Sequence, residues 1–286
     1  MVKERRAMPA KNEDIEVHLF IEALKLRYGY DFSQYARASL KRRVLGLRQV
    51  FGCEYVSQLL PRLLHDPAFL PQVISQLSVP VSEMFRDPAV FLALRRQVLP
   101  LLRSYPTINI WQAGCAHGEE VYSLAILFQE EGLYERCRIY ATDINDVALT
   151  KAEEGVFAEA DVRAYAKNHH HAGGVGSLLD HFHIAYGFAK ADDRLKRNIV
   201  FAHHNLVSDG VFCEVNLILC RNVLIYFGRD LQGRVLRLFR DSLMRGGFLC
   251  LGSKESLGFD GILDNFRVID QNAKLFQLTS LAGAGS

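Results

Sequence analysis

From residue 107 onward, near-continuous apolar runs alternate with helical stretches, and this alternation constrains the fold more than any other feature of the chain. Strands that are apolar along their whole length are typical of a parallel sheet covered by helices on both faces. The last two runs, joined by a polar turn at Gln271 and Asn272, predict a hairpin at the sheet edge. We therefore predict an α/β fold with a Rossmann-like sheet. The predicted strands are 107–114, 138–143, 198–205, 215–220 and 246–253, and the predicted helices are 119–131, 145–154 and 229–244.

The first hundred residues show helical periodicity and no alternation of period two. Leu40, Val44, Leu47 and Phe51 fall on one apolar stripe, and Gly52 closes that helix. These features predict an N-terminal all-helical domain. The boundaries that we predict are a disordered start (1–13), the helical domain (14–78), a linker with a leading helix (79–100), the α/β domain (101–279) and a disordered tail (280–286).

A row of basic side chains lies beside the apolar stripe of this helix. Arg37, Lys41 and Arg48 fall together at 100° per residue, and Arg42 is a further member. We call these four residues the basic ridge. It is either a docking surface for an acidic partner or a solvated helix face that needs no partner.

Residues 156–197 interrupt the alternation, because they are too long for one crossover connection. We expect a small inserted subdomain with a flexible tip at HHHAGGVG. His169, His170 and His171 suggest a metal site, but adjacent residues do not readily point at one ion, and no cysteine or acid with ligand spacing stands beside them. The sequence therefore predicts a mobile loop and no metal.

Composition excludes several classes of protein. No apolar run approaches the roughly 18 residues that a membrane helix needs, and the charged N-terminus lacks a signal-peptide core. The six cysteines are scattered without a CxxC pair, which indicates neither disulfides nor zinc. A net charge of +2 argues against bulk binding to nucleic acid. We expect a cytoplasmic, monomeric protein without membrane insertion.

The stretch WQAGCAHGEEVYSLAI reads as the turn after a buried strand, followed by a helix with two acids in its first turn. Gly114 and Gly118 free the backbone to approach a ligand at the carboxyl end of the strand. Glu119 and Glu120 would repel a pyrophosphate but suit a ligand of positive character. Asp143 ends the second strand, where nucleotide-binding folds place an acid that accepts the ribose hydroxyls.

Each acid also has a structural explanation. Asp143 would serve as a helix N-cap, and Glu119 and Glu120 as favourable first-turn charges. A nucleoside with a cationic tail and no phosphate explains all three together. S-adenosylmethionine is such a molecule, so we predict it as the cofactor, with S-adenosylhomocysteine as the product.

The motifs resemble those of the chemotaxis receptor methyltransferases, the CheR family, in the same order and over about residues 15–278. The family's first motif reads approximately W-x-A-G-C-S-T-G-E-E-P-Y-S. The resemblance implies a class I methyltransferase sheet with an N-terminal helical domain and an inserted β-subdomain. The matching stretches are SVPVSEMFRDPAVF (78–91), WQAGCAHGEEVYS (111–123), ATDIN (141–145), FAHHNL (201–206), LILCRNVLIYF (217–227) and RGGFLCLGSKESL (245–257).

By this resemblance, Arg86 pairs with the methionyl carboxylate or with the substrate, Glu120 with the amino group, Asp143 with the ribose and Asn205 with the adenine edge. Tyr226 orients the acceptor. The purely structural alternatives are that Arg86 is a surface residue, Asn205 a turn residue and Tyr226 a core residue. The cofactor contacts implied in all are Ser82, Arg86, Gly114, Glu120, Asp143, Asn205, Leu206, Arg221 and Asn222.

Some positions depart from the family pattern. Pro80 replaces a common asparagine, Met84 a phenylalanine, Cys115-Ala116-His117 the usual Cys-Ser-Thr, and Asn216 an aspartate. Proline offers no side-chain hydrogen bond, so one cofactor contact is missing or comes from the backbone. The residues implied to bind and react are all retained, and we expect activity.

The resemblance implies methyl transfer to glutamate side chains of chemoreceptors, a protein-glutamate O-methyltransferase activity. A glutamate with a pKa near about 4.3 is already ionised, so the reaction needs no general base. The partners would be receptor helices docking on the basic ridge and, in some members, a receptor C-terminal peptide held by the subdomain. The alternatives are a small-molecule O-methyltransferase and a non-catalytic cofactor-binding module.

Overall fold

The computed structural model describes residues 11–258 and 261–279, and it divides into two compact units between Ser78 and Val79. The disorder predicted for residues 1–10 and 280–286 lies outside the described residues. The first helix already begins at Asn12, so disorder up to residue 13 is wrong. Glu13 and Asp14 stabilise this helix start, because acids in a first turn interact favourably with the helix dipole.

The first unit is a helical module. The predicted stripe is confirmed, since Val44 and Leu47 are fully buried while Leu40 and Phe51 are half-buried. Gly52 ends the helix in the left-handed conformation with φ 68°. The helices are α1 (Asn12–Tyr28), α2 (Arg37–Phe51), α3 (Leu60–His65) and α4 (Phe69–Leu77).

The second unit contains a seven-stranded mixed sheet in the order β6-β2-β1-β7-β8-β10-β9. The α/β fold and the edge hairpin are confirmed. The strands β6, β2, β1, β7 and β8 are parallel to one another, whereas β10 is antiparallel to both of its neighbours, β8 and β9. The strands are β1 (Ile108–Ala113), β2 (Cys137–Asp143), β3 (Val156–Ala158), β4 (Phe182–Ala185), β5 (Phe188–Ala191), β6 (Ile199–His203), β7 (Val215–Cys220), β8 (Leu243–Leu251), β9 (Phe266–Asp270) and β10 (Leu275–Leu278). The helices are α5 (Pro88–Ala93), α6 (Leu99–Leu102), α7 (Glu119–Glu130), α8 (Asp146–Glu154), α9 (Glu159–His171), α10 (Asp193–Lys196) and α11 (Arg229–Ser242).

The boundary between α11 and β8 differs from the prediction. The helix ends at Ser242 and the strand begins at Leu243, whereas the sequence predicted helix to residue 244. Gly246 adopts φ 81° and the register of β7 against β8 shifts between Val215 and Leu217. A glycine that tolerates positive φ therefore lies within the strand, at an irregularity, and does not mark its start.

The inserted segment folds around a three-stranded antiparallel sheet in the order β3-β5-β4. The predicted mobile loop at the histidines is wrong, because all three continue α9 and His169 is only 1% exposed. The ring of His169 packs against that of Phe85, with centroids 5.0 Å apart. Burial of this ring extends the helix through residues that the sequence alone assigns to a loop.

An ionic network joins α9 to the end of α7. His169 Nε2 lies 2.7 Å from Glu130 Oε1, which also accepts from the amide of Val175 at 3.0 Å. Arg95 Nη2 donates to Glu130 Oε2 at 2.6 Å. Burial raises the pKa of Glu130, but the hydrogen bonds from His169 and Arg95 outweigh it and the net pKa is lowered. The carboxylate is thus the common anchor of three segments.

The sequence argument against a metal ion depended on there being no acid beside the histidines, and that premise is wrong. Glu130, His169 and His181 each bring one ligand atom within 4.8 Å of the others. Both carboxylate oxygens of Glu130 already form hydrogen bonds, and the bond to Oε2 comes from the guanidinium of Arg95. The expectation of no metal stays a prediction.

We predict that Glu130→Gln destabilises the second unit by about 2–3 kcal/mol, because buried His169 loses its carboxylate partner and half-buried Arg95 keeps only its second one, Glu131. Urea unfolding followed by the fluorescence of Trp111, the fully buried single tryptophan, measures this change. The control is Glu159→Gln, which removes the exposed pair with Arg163 and should shift stability by no more than about 0.5 kcal/mol. Equal effects of the two substitutions would contradict the anchoring role.

Candidate functional site

The site lies where the strand order reverses around β1, whose neighbours are β2 and β7. Ligands of open α/β sheets bind at such a reversal, outside the carboxyl ends of the strands. Gly114, directly after β1, has φ 76°, and a Cβ there would lie 2.5 Å from Cγ2 of Val223, which follows β7. Gly118 has φ 94°, and its Cβ would lie 3.0 Å from that of Ala152. Both glycines are therefore required by the chain's own conformation and packing, which the sequence argument from ligand approach did not foresee.

A buried arginine occupies the crevice between these strand ends. The side chain of Arg221 is 0% exposed, and its Nη1 forms an ion pair with Glu120 Oε2. Its Nη2 lies 2.7 Å from Asp87 Oδ2. Gln112 Nε2, from β1, donates to Glu120 Oε1 at 3.0 Å. Two carboxylates thus flank a single cation, which leaves the cluster with a net negative charge.

Within the part of the chain that the structure describes, two buried atoms of this cluster, Arg221 Nε and Gln112 Oε1, have no hydrogen-bond partner, and neither has Oε2 of the adjacent Glu119. Buried polar groups are rarely left unpaired, so each indicates a missing partner. The methionyl end of S-adenosylmethionine has a carboxylate to accept from a guanidinium and an ammonium to donate to amide and carboxylate oxygens. The residues present therefore fit the cofactor.

Glu119 and Glu120 differ in their surroundings although they are neighbours. Glu120 is held by Arg221, whereas Glu119 Oε2 is unpartnered. Burial raises the pKa of Glu119 to about 6, with Asp161 and Glu120 adding to it. Glu119 is consequently the carboxylate of this helix start whose charge changes near neutral pH.

Asp143 closes the end of β2. Its Oδ2 accepts from the amide of Ala116 at 2.9 Å and its Oδ1 from the amide of Asn145 at 3.0 Å. The N-cap of α8 is Asn145, whose side chain accepts from Val147 and Ala148, so the alternative of Asp143 as the cap is wrong. Burial raises the pKa of Asp143 against the lowering effect of its backbone hydrogen bonds. Its predicted role toward the ribose stays a prediction.

Asn205 and Leu206 follow β6. The side-chain oxygen of Asn205 accepts a hydrogen bond from the backbone amide of Val207 at 2.9 Å. The backbone amide of Asn205 donates to Asp209 Oδ2 at 2.8 Å. The reading of Asn205 as a turn residue therefore describes its contacts, and the adenine contact stays a prediction. Leu206 is buried, with 8% of its surface exposed.

Ser82 and Arg86 lie in the segment before α5, and both are half-buried. Within residues 11–258 and 261–279, Arg86 forms no hydrogen bond or ion pair. A half-buried arginine without a carboxylate partner is available to an anionic ligand. Tyr226, also half-buried, ends the short 3-10 turn Leu224–Tyr226 that follows the cluster.

Sequence reasoning missed three side chains that hold the site together: Asp87, Gln112 and Glu255. Glu255 is 5% exposed, and its carboxylate accepts from the amides of Gly252, Asn222 and Val223 at 2.6, 3.2 and 2.9 Å. These bonds fix Asn222 at φ 60°, a conformation that asparagine tolerates better than most residues. A polar residue inside the apolar strand was the available signal for Gln112.

The basic ridge is partly neutralised by α1. Lys41 Nζ lies 2.6 Å from Asp14, and Arg48 Nη1 lies 3.8 Å from Glu13. Arg37 and Arg42 are exposed, so the solvent-facing part of the ridge is narrower than the helical spacing suggests. Of the departures from the family pattern, Asn216 has a structural role, since its Oδ1 accepts from the amide of Asn109 at 2.8 Å.

Two family models match the chain. The model described as the CheR methyltransferase SAM binding domain covers residues 80–275, and the one described as the CheR methyltransferase all-alpha domain covers residues 15–78. Among the described residues, no helix has the length and apolarity to cross a bilayer.

Curated relatives agree with these matches. The Pseudomonas putida protein named putative methyltransferase Cher3 is 50% identical over 267 residues, which cover 93% of this chain and 98% of that one. The chemotaxis protein methyltransferase of Listeria monocytogenes is 30% identical over 83% of this chain and 88% of its own length. An uncharacterised 104.1 kDa protein of Rhodobacter capsulatus is 33% identical over 90% of this chain, which spans 27% of it. The family and cofactor predicted from the motifs are confirmed: the chain belongs to the CheR methyltransferase family and carries that family's S-adenosylmethionine-binding domain.

Proposed function

We propose that the protein transfers the methyl group of S-adenosylmethionine to glutamate side chains of cytoplasmic chemoreceptor helices, forming methyl esters. The observation that carries the proposal is the cluster of Arg221, Glu120 and Gln112 at the β1–β7 reversal, whose unpartnered atoms match the polar end of this cofactor. The name of the Listeria relative, a chemotaxis protein methyltransferase, supports a chemosensory acceptor.

The reaction we propose is an in-line displacement. A carboxylate oxygen of the acceptor attacks the methyl carbon, the carbon–sulfur bond breaks and its electron pair stays on sulfur, which leaves neutral S-adenosylhomocysteine. The acceptor is already ionised, so rate comes from alignment and exclusion of water rather than from a base. Arg86 would offset the charge of the incoming carboxylate and Tyr226 would orient it through its hydroxyl.

We expect tritiated methyl groups to pass from the cofactor to receptor fragments and to be released by base as methanol, which identifies an ester. Arg86→Leu should lower kcat/KM for the receptor about 100-fold, because the acceptor loses its counter-charge. The control is Arg96→Leu, an exposed arginine ten positions further along the same unit. Base-stable label, or equal activity of the two variants, would contradict the proposal.

The same labelled cofactor separates the alternatives. A small-molecule O-methyltransferase would label metabolites and leave receptor fragments unlabelled. A non-catalytic module would bind S-adenosylmethionine in calorimetry and label neither. The family match to the all-alpha domain at residues 15–78 favours a protein acceptor, since a small substrate does not need that domain.

We predict that the affinity for S-adenosylmethionine rises with pH between about 5 and 7.5 by up to about tenfold, because ionised Glu119 attracts the cation and its pKa is about 6. Titration calorimetry across this range measures the slope. The variant Glu119→Gln should bind S-adenosylmethionine weakly at every pH, so that its affinity no longer depends on pH. The variant Glu153→Gln, at an exposed position, should keep the pH dependence of the unsubstituted protein. An unchanged slope in Glu119→Gln would assign the titration to another group.

We propose that receptor helices, which are acidic, dock on the exposed part of the basic ridge. The double substitution Arg37→Glu and Arg42→Glu should raise the receptor KM about tenfold and leave the KM for the cofactor unchanged, because charge complementarity acts on encounter. Arg234→Glu with Arg237→Glu makes the same change of charge on exposed positions of α11 and serves as the control. An unchanged KM means that the ridge is only a solvated surface.

The inserted subdomain supports a further contact of this kind, a receptor C-terminal peptide. Tyr186 is 100% and Phe188 56% exposed, and Ile184 on β4 is 38% exposed. β4 is an edge strand of its sheet, and an extended peptide can add to such an edge.

A further inference from the structure

We propose that Asp87 is a positioning residue that holds Arg221 in place for the methionyl end of the cofactor. The inference rests on the proposed binding of that end at Arg221. In this proposal Asp87 acts through Arg221 and not by contact with the reacting atoms.

The Asp87 side chain does not cap the helix that it precedes. Asp87 is the N-cap residue of α5, directly before Pro88, a place where aspartate ordinarily accepts from a backbone amide of the first turn. No such bond forms. The carboxylate instead reaches Arg221, 134 positions away, at 2.7 Å.

Asp87 follows a segment whose conformation is held by side chains from other helices. Phe85 and Asp87 adopt φ 52° and 53°; these left-handed values cost a residue such as Phe85 about 1–2 kcal/mol, whereas aspartate tolerates them better. The surroundings hold this segment: the Phe85 amide donates to Ser123 Oγ at 2.9 Å, and Asn168 Nδ2 donates to the Met84 carbonyl at 3.2 Å. Strain of this kind persists only where neighbours impose it, and it is concentrated at functional sites.

Asp87 also limits the orientations that the Arg221 guanidinium can adopt. Glu120 holds Nη1, and Nε is unpartnered and remains for the cofactor. A guanidinium that is held only at Nη1 can still turn about this one ion pair. A guanidinium that is held at both Nη1 and Nη2 presents its Nε–H group in a fixed direction. Phe91, one turn after Asp87, adds a cation–π contact, with its ring centre 5.9 Å from Arg221 Cζ. Asp87 therefore completes the fixation of the arginine.

Asp87→Asn tests the proposal without disturbing the backbone, because asparagine tolerates the left-handed conformation as well as aspartate does. Calorimetry on the full chain should show S-adenosylmethionine and S-adenosylhomocysteine both weakened by the same factor, about tenfold. In methyl transfer the KM for the cofactor should rise while kcat at saturation stays within about twofold. The control is Asp241→Asn, which removes the aspartate of another Asp–Arg pair, with 50% side-chain exposure against 45% for Asp87, and should change neither affinity.

The two ligands separate positioning from simple attraction. S-adenosylmethionine carries one positive charge more than S-adenosylhomocysteine, so a carboxylate that acts only by its charge would show a larger loss for the former. Such an unequal loss overturns the positioning role, and so does binding of both ligands within twofold of the unsubstituted protein. A lowered Tm with kcat and KM both changed would indicate a merely structural role and overturn it as well.

A double-mutant cycle with Arg221→Lys distinguishes failure of this inference from failure of the site assignment. Lysine keeps the charge but cannot hold two carboxylates and a ligand through one planar fork. If Asp87 acts through Arg221, Asp87→Asn should have less than twofold effect in the Arg221→Lys background. If Arg221→Lys itself leaves both affinities unchanged, the cofactor does not bind at Arg221. That result contradicts the proposed cofactor site, and not only the role of Asp87.

Discussion

The ion pairs of Arg221 are the interaction on which this site depends. A fully buried guanidinium is tolerated only when its charge is paired, and the carboxylates that pair with it come from Glu120 at the start of α7 and Asp87 at the start of α5. The cluster therefore fixes one end of β7 to two separate helices. Because two carboxylates face one cation, it also leaves a net negative charge, which opposes a phosphate and suits a sulfonium cofactor.

The sheet topology explains why these groups meet at all. β1, β2 and β7 are parallel, so their carboxyl ends lie along one edge of the sheet, and the order reverses at β1. Chain segments that leave in opposite directions open a crevice there. The close contact of Gly114 with Val223 keeps the two strand ends together, and Glu255 fixes the turn after β7 from a third side.

Periodicity was enough to predict the sheet and the edge hairpin, and end-of-strand chemistry selected Glu120 and Asp143, whose cofactor contacts stay predictions. Both signals failed where a pairing joins residues distant in sequence. Nothing near His169 indicates that Glu130 lies 2.7 Å from it, and the run of histidines and glycines therefore looked like a loop. Asp87 before a proline reads as a helix cap, and only the fold shows that its carboxylate is used elsewhere. Local sequence carries period and turn chemistry, whereas tertiary contacts decide such positions.

The strained segment before α5 gives these contacts a common purpose. The proposed reaction needs no proton transfer, so the protein can contribute mainly by holding charges where the cofactor and acceptor will need them. A segment that is already ordered when the ligand arrives loses no further conformational entropy on binding. Ser123 holds the amide of left-handed Phe85 and Asn168 holds the carbonyl of the preceding Met84, and these two side chains come from different helices, α7 and α9. The strain of this rigid site therefore lowers the stability of the folded chain and does not lower the affinity for S-adenosylmethionine.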